Sequence, residues 1–231
     1  MTLQQLHEKL LAWATAEPRK PELLAARRAH FGAYGEPHEE DRTYEARLNG
    51  MLDFYLYDHR PAPGGPTTID RFLEAEGAAL EPADVAAFRT LGLNVHALFE
   101  VRKIKDGALR LRDLVTGIDH DVTERRQVLG LEKGDLLEAR LLPFEANLYF
   151  SGAFIYHPRE ARKAILGEVK RRKKAAGKGG TVDLVELLAL LSRMAFKLER
   201  YRNVRLESIY DFSAEAVRLA TPRPMGDGTG S

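Results

Sequence analysis

One stretch of alternating residues, folded back on itself by a single dipeptide, constrains this chain more than any other feature. Over residues 97–105, Phe99 and Val101 fall on one side and Glu100 and Arg102 on the other, the period of two that a half-buried strand needs. Asp106-Gly107 follows, a pair that tolerates the positive φ of a two-residue hairpin turn. Beyond it Leu109 and Leu111 oppose Arg110 and Arg112, so the returning strand keeps the period. Thr116-Gly117 supplies another turn, and residues 121–125 a short strand around Val122. Lys133-Gly134-Asp135 then turns the chain into 136–142, where Leu137, Ala139 and Leu141 oppose Glu138 and Arg140, and Pro143 ends the strand. The charged side of these strands reads as a solvated outer surface. In 148–156, Phe150, Phe154 and Tyr156 share a face, and Gly152 between them marks a bulge or bend. About five short strands with no room for crossover helices predict a small antiparallel β-barrel or curled sheet.

Helices flank this module. Leu3, Leu6, Leu10 and Trp13 recur at helical spacing up to Pro18, and 21–34 reads as a second helix with Pro21 in its first turn. The acidic run His38-Glu39-Glu40-Asp41 predicts the start of a third, carrying Tyr44, Leu48, Met51, Leu52 and Tyr55 on one side. Residues 61–66, with three prolines and two glycines, must be a loop. Thr67 or Thr68 then caps a helix through Ile69, Phe72 and Leu73, and a short helix from Pro82 closes at Gly92. After the strands, Pro158 opens a basic helix, 175–180 is a flexible linker, and Thr181 caps an amphipathic helix. Residues 204–219 add a short strand and helix. The fold class is therefore α+β: a helical region over 1–94, the β module over 95–157, a basic helix, linker and amphipathic helix over 158–220, and a disordered tail over 221–231.

With 231 residues the chain can bury a substantial core, and 44% hydrophobic with 30% charged residues is an ordinary globular balance. The apolar run 184–191 is interrupted by Glu186 and far too short to span a bilayer, so no membrane association is expected. The first residues lack a basic leader, and the sequence has no cysteine, which excludes disulfides, thiolate nucleophiles and zinc–thiolate sites; a cytoplasmic protein is the expectation. A net charge of +1 gives no global attraction to nucleic acid, so any such binding must come from a local patch.

No motif carries catalysis. Asp58-His59-Arg60 and Asp119-His120-Asp121 bring His and carboxylate together, but neighbours on a strand face opposite ways and the first cluster suits an ion pair at a helix end. Gly177-Lys178-Gly179-Gly180-Thr181 lacks the spacing and preceding strand of a phosphate loop. No catalytic, metal or cofactor residue is assigned. Two surfaces remain. Leu184, Leu187, Leu188, Leu191, Met194 and Leu198 form a wide apolar stripe that predicts a contact with a protein partner or a second copy, making a non-catalytic binding or adaptor protein the leading reading. The alternative is nucleic-acid binding through segment 159–178, using Arg159, Arg162, Lys163, Lys170, Arg171, Arg172, Lys173 and Lys174 on phosphates.

The residues Leu52-Asp53-Phe54-Tyr55-Leu56-Tyr57-Asp58-His59-Arg60, followed by 64–73, Phe99-Glu100-Val101, Leu111-Arg112-Asp113-Leu114, Thr116-Gly117, Gly134-Asp135, Ala139-Arg140-Leu141 and Ser151-Gly152, resemble a segment of uncharacterised bacterial proteins. Some of those carry a SEC-C zinc motif elsewhere. The resemblance covers about residues 45–157. Without cysteine this chain cannot hold a SEC-C metal site, and no functional residue follows from the likeness.

Overall fold

The computed structural model describes residues 1–123, 130–201 and 203–213. Five helices come first. α1 (Leu3–Ala14) is closed at its start by a capping box between Thr2 and Gln5, and buries Leu6, Leu10 and Ala14. α2 (Lys20–Tyr34) has Pro21 in its first turn, where a missing N–H costs nothing. α3 (Tyr44–Tyr57) starts later than the acidic run predicts: residues 38–43 form turns, because the Asp41 carboxylate accepts from the His38 N–H and pairs with Arg200 rather than capping a helix. α4 (Thr68–Glu76) is capped by Thr67, which forms a capping box with Asp70, and α5 (Pro82–Leu91) follows.

The expected barrel is present. Strands β1 (Val95–Lys105), β2 (Ala108–Asp113), β3 (Asp119–Thr123), β4 (Leu136–Phe144) and β5 (Asn147–His157) close in the order β1-β2-β3-β5-β4. Every pairing is antiparallel except β3 with β5, which meet in parallel at Val122 and Leu148. Five strands cannot alternate direction all the way round a closed ring, so one parallel seam is unavoidable. Pro143 does not end β4; it pairs with Leu148 one position from the strand's end, where a missing N–H is tolerated. Gly152, at φ +104, sits in a bulge that sets Ser151, Gly152 and Ala153 against the single residue Arg140. The predicted strand at 121–125 begins at Asp119 instead, and residues 124–129 lie outside the described part of the chain.

Three apolar clusters follow from this topology. The barrel interior holds Ala97, Phe99, Val101, Leu109, Leu111, Val122, Leu137, Ala139 and Leu141, the inward residues of the period-two pattern. A second cluster joins α1, α3, α4 and α5 around Tyr55, Phe72 and Phe88, touching the barrel at Leu142. The third lies under α6 (Arg162–Ala176), α7 (Leu184–Arg200) and α8 (Leu206–Ile209), and reaches Leu98 and Leu136 on the barrel wall. α7 is capped by Asp183, whose side chain accepts from the Glu186 N–H, rather than by Thr181. The strand expected after 204 is the helix α8; residues 214–231, including the predicted tail, are outside the described residues.

One consequence reverses the sequence reading. Residues 136–142 of β4 are buried on both faces, so Glu138 and Arg140 are 5% and 3% exposed and not solvated. Side chains of α2, α3 and α7 cover the outer wall of the barrel there. Strand alternation marks which residues face out of a sheet, and says nothing about what lies beyond it.

Candidate functional site

Between that wall and the helices sits a layer of buried ionisable groups. α2 contributes His30 and Tyr34, α3 contributes Arg47 and Asp53, β1 contributes His96, β4 contributes Glu138 and Arg140, and α7 contributes Ser192. Arg140 is the hub. Its guanidinium donates to both carboxylate oxygens of Asp58 and to the Asn94 side chain. Its Nε stands 3.9 Å from Asp53 Oδ2, a charge contact too long for a hydrogen bond. Asp53, 4% exposed, is pushed up by burial against the opposing pull of Arg140.

His96 and Glu138 share a hydrogen bond of 2.9 Å. Arg47 has no direct carboxylate partner among the described residues: it donates to Thr43 Oγ1 at 2.8 Å and Ser192 Oγ at 2.7 Å, and its Cζ lies 3.2 Å from the centre of the Phe196 ring. Desolvation lowers its pKa to about 10. His30, stacked on Tyr34 at 4.4 Å, is lowered to about 3, first by burial and then by nearby His96, Arg140 and Arg47, so it stays neutral.

The His96–Glu138 pair has the form of an oriented general base, with His96 partly exposed and Glu138 buried. Yet no nucleophile or further donor is hydrogen-bonded to it among the described residues. The cavity beside it offers about 30 Å³, room for a water or two and far below the volume of a small-molecule site. Nor is any group of three or more His, Asp or Glu placed to hold a metal ion among the described residues. Chemically, this layer fastens three helices to a barrel.

The apolar stripe of the last long helix also faces inward. Leu187, Leu188, Leu191 and Met194 are buried, and Leu184 and Leu198 pack on the same cluster as Ile165, Val169 and Tyr34. Those six residues meet this chain's own core. The Asp119-His120-Asp121 cluster is split as strand geometry requires: the two carboxylates bind Arg112 and Arg110, while His120 turns to Phe99.

The basic segment divides in two. Arg159 pairs with Asp135 and Glu132, at 2.6 and 2.8 Å, and Arg162 with Glu100 at 2.6 Å. Arg171 and Arg172 share Glu168, and Arg172 also reaches Glu186. Burial alone would raise Glu168, but the two guanidiniums outweigh it and hold its carboxyl below the usual value. Lys173 donates to the Leu114 carbonyl at 3.4 Å. Lys163, Lys170 and Lys174 are exposed and form no ion pair among the described residues. Their spacing places all three on one face, directly opposite buried Ile165 and Val169.

Sequence reasoning named the lysines but missed the interior layer. Asp53 carried a usable signal, a carboxylate inside the apolar and aromatic run from Met51 to Tyr57. Glu138 and Arg140 carried none, since their alternation is also that of a wet strand. No curated protein matches the chain, and no solved structure matches it. A family of unknown function, DUF7986, matches residues 2–183, a span that contains the barrel, the interior polar layer apart from Ser192, and α6, and the chain belongs to that family.

Proposed function

We propose that this protein is a nucleic-acid-associated binding protein that holds phosphates along the outer face of α6. The observation carrying this reading is the line of exposed Lys163, Lys170 and Lys174, which have no ion-pair partner among the described residues, on a helix anchored from below. Within α6 seven cations, Arg162, Lys163, Lys170, Arg171, Arg172, Lys173 and Lys174, face one internal acid, Glu168. Adding the partner acids Glu100 and Glu186 still leaves a local excess of positive charge, which attracts a polyanion despite the small net charge of the chain. The adaptor reading depends on the stripe from Leu184 to Leu198; with that stripe packed against α6 and the barrel wall, a protein partner would first have to detach α7.

The test is fluorescence anisotropy of a labelled DNA duplex titrated with the full chain at several salt concentrations. Three phosphate contacts imply a log–log salt slope of about −2.7 or steeper, hence at least a roughly 40-fold loss of affinity between 50 and 200 mM salt. Replacing all three lysines together, Lys163→Gln, Lys170→Gln and Lys174→Gln, should cut low-salt affinity by at least tenfold. Unchanged binding in that variant, or no binding at 50 mM salt, rejects the reading.

A further inference from the structure

The hairpin that joins β1 and β2 carries cations that the sequence pattern assigns to the wrong side of the strand. Phe99 and Val101 point into the barrel, and plain alternation would send Lys103 and Lys105 after them. A bulge prevents this: Val101 pairs with Leu111, but Lys103 pairs with Arg110, so Arg102 is the extra residue. Ile104 takes the position opposite inward-facing Leu109, and Lys103 and Lys105 join Arg110 on the outer wall. There they line a cleft of about 160 Å³ with Ala108, Arg110 and Asp121. Asp121 is consumed by a two-pronged pair with Arg110, at 2.8 and 2.7 Å. Lys103 and Lys105 are exposed and have no ion-pair partner among the described residues.

The start of α6 lies against this same wall. Glu100 accepts from Arg102 at 2.9 Å and from Arg162 at 2.6 Å, and Arg162 also donates to the Gly134 carbonyl at 3.0 Å. Two half-exposed guanidiniums therefore share one carboxylate where the hairpin meets the helix. The hairpin lysines lie farther along β1 from Glu100, and Lys163 follows Arg162 directly on α6. Five residues of strand span about 16 Å, and the eleven residues from Lys163 to Lys174 about 16 Å more. End to end the two cationic stretches reach at most about 30 Å, the length of about nine base pairs.

We infer that the β1–β2 hairpin is a second phosphate-contact site, and that hairpin and α6 together form one continuous track for double-stranded DNA. The inference rests on the reading of α6 given above and adds the partner's form. No aromatic ring lines the hairpin cleft, so the hairpin offers no surface for stacking unpaired bases, and its contacts are to backbone phosphate without sequence preference.

Anisotropy titrations with a duplex of about 12 base pairs separate the two claims. Five lysine contacts predict a salt slope near −4.5, which Lys103→Gln with Lys105→Gln should reduce to about −2.7 while lowering affinity at least fivefold at low salt. A thermal melt checks that this exposed pair leaves the fold intact. If the hairpin variant binds as the parent does while the α6 triple variant does not, the track is refuted and the α6 reading stands. If neither variant changes binding, both fall. Equal affinity for a single strand of the same length also refutes the track, since it would require the stacking surface that the cleft lacks.

Discussion

Replacing Arg140 with leucine would test whether the interior layer is the fastener it is taken to be. Arg140 and Asp53 are 3% and 4% exposed, so the substitution leaves a buried carboxylate facing no cation. Breaking a buried pair by removing one partner costs about 3–5 kcal/mol, because the remaining charge stays desolvated. Asp58, with a side chain 41% exposed, can rehydrate and adds little to that cost. For a chain of this size the loss should lower Tm by roughly 10–15 °C. Asp53 is already pushed up by its burial, and removing the opposing pull of Arg140 should push it up further. The sign follows from linkage: a carboxyl raised in the folded state favours folding below its unfolded pKa, and that contribution is lost as pH rises through the folded value. The R140L variant should therefore be most impaired at high pH and partly restored by acid. Adding Asp53→Leu removes the orphaned charge, and the double variant should recover about 1–3 kcal/mol relative to R140L alone. Urea denaturation with unchanged m-values measures all three. An R140L variant within 1 kcal/mol of the parent, or a double variant whose loss equals the sum of the single losses, would refute the argument.

Three further outcomes can be checked on the same apparatus. His30 and His157 are lowered to about 3 and about 4, chiefly by burial, so each binds fewer protons folded than unfolded and stability falls as pH drops below 6.5. At about 1.4 kcal/mol per pH unit for each, the pair should remove up to about 4 kcal/mol between pH 6.5 and 5, partly offset by Asp53; a urea midpoint that does not fall over that interval contradicts it. Gly35 has φ +99, and a Cβ there would stand 3.0 Å from Phe196 Cδ2, on the ring that supports Arg47. Gly35→Ala should cost about 2 kcal/mol or more, visible as a lower Tm. Leu191, wholly buried at the centre of the third cluster, should cost about 2–5 kcal/mol as Leu191→Ala; a loss below 1 kcal/mol would mean that α7 does not pack on the body in solution.

What the sequence disclosed and what it hid divide along a physical line. Period-two alternation and the Asp106-Gly107 turn are local, and they disclosed the five strands and most of the barrel interior, though not where β3 starts or β4 ends. Gly152 as a bulge or bend, and a threonine cap at Thr67 or Thr68, were likewise visible because each acts on its own backbone neighbourhood. The cover over Glu138 and Arg140 is not local: it depends on α2, α3 and α7 arriving from both ends of the chain, with Ser192 and Arg47 hydrogen-bonded across 145 positions. The bulge at Arg102 was equally hidden, since it shows only in the register against β2. For the same reason the stripe from Leu184 to Leu198 announced an apolar face without naming the surface that covers it.

The split between arginine and lysine connects the interior layer to the proposed track. Arg47, Arg71, Arg110, Arg112, Arg140, Arg162, Arg172 and Arg200 all hold acceptors within the chain, most through two nitrogens at once. Lys103, Lys105, Lys163, Lys170 and Lys174 hold none among the described residues. A planar guanidinium matches a fixed carboxylate or carbonyl geometry, whereas an ammonium on a flexible stem stays hydrated and gains little from one internal partner. Folding therefore neutralises acids mainly with arginine and leaves lysine outside. This is how a chain with a net charge of only +1 can keep exposed lysines unpaired: among the described residues most ion pairs draw their cation from arginine. It follows that Arg162→Lys should loosen the hairpin–helix junction, because one ammonium cannot serve both Glu100 and the Gly134 carbonyl in the same geometry, while Lys170→Arg should leave the fold unchanged and preserve phosphate contact.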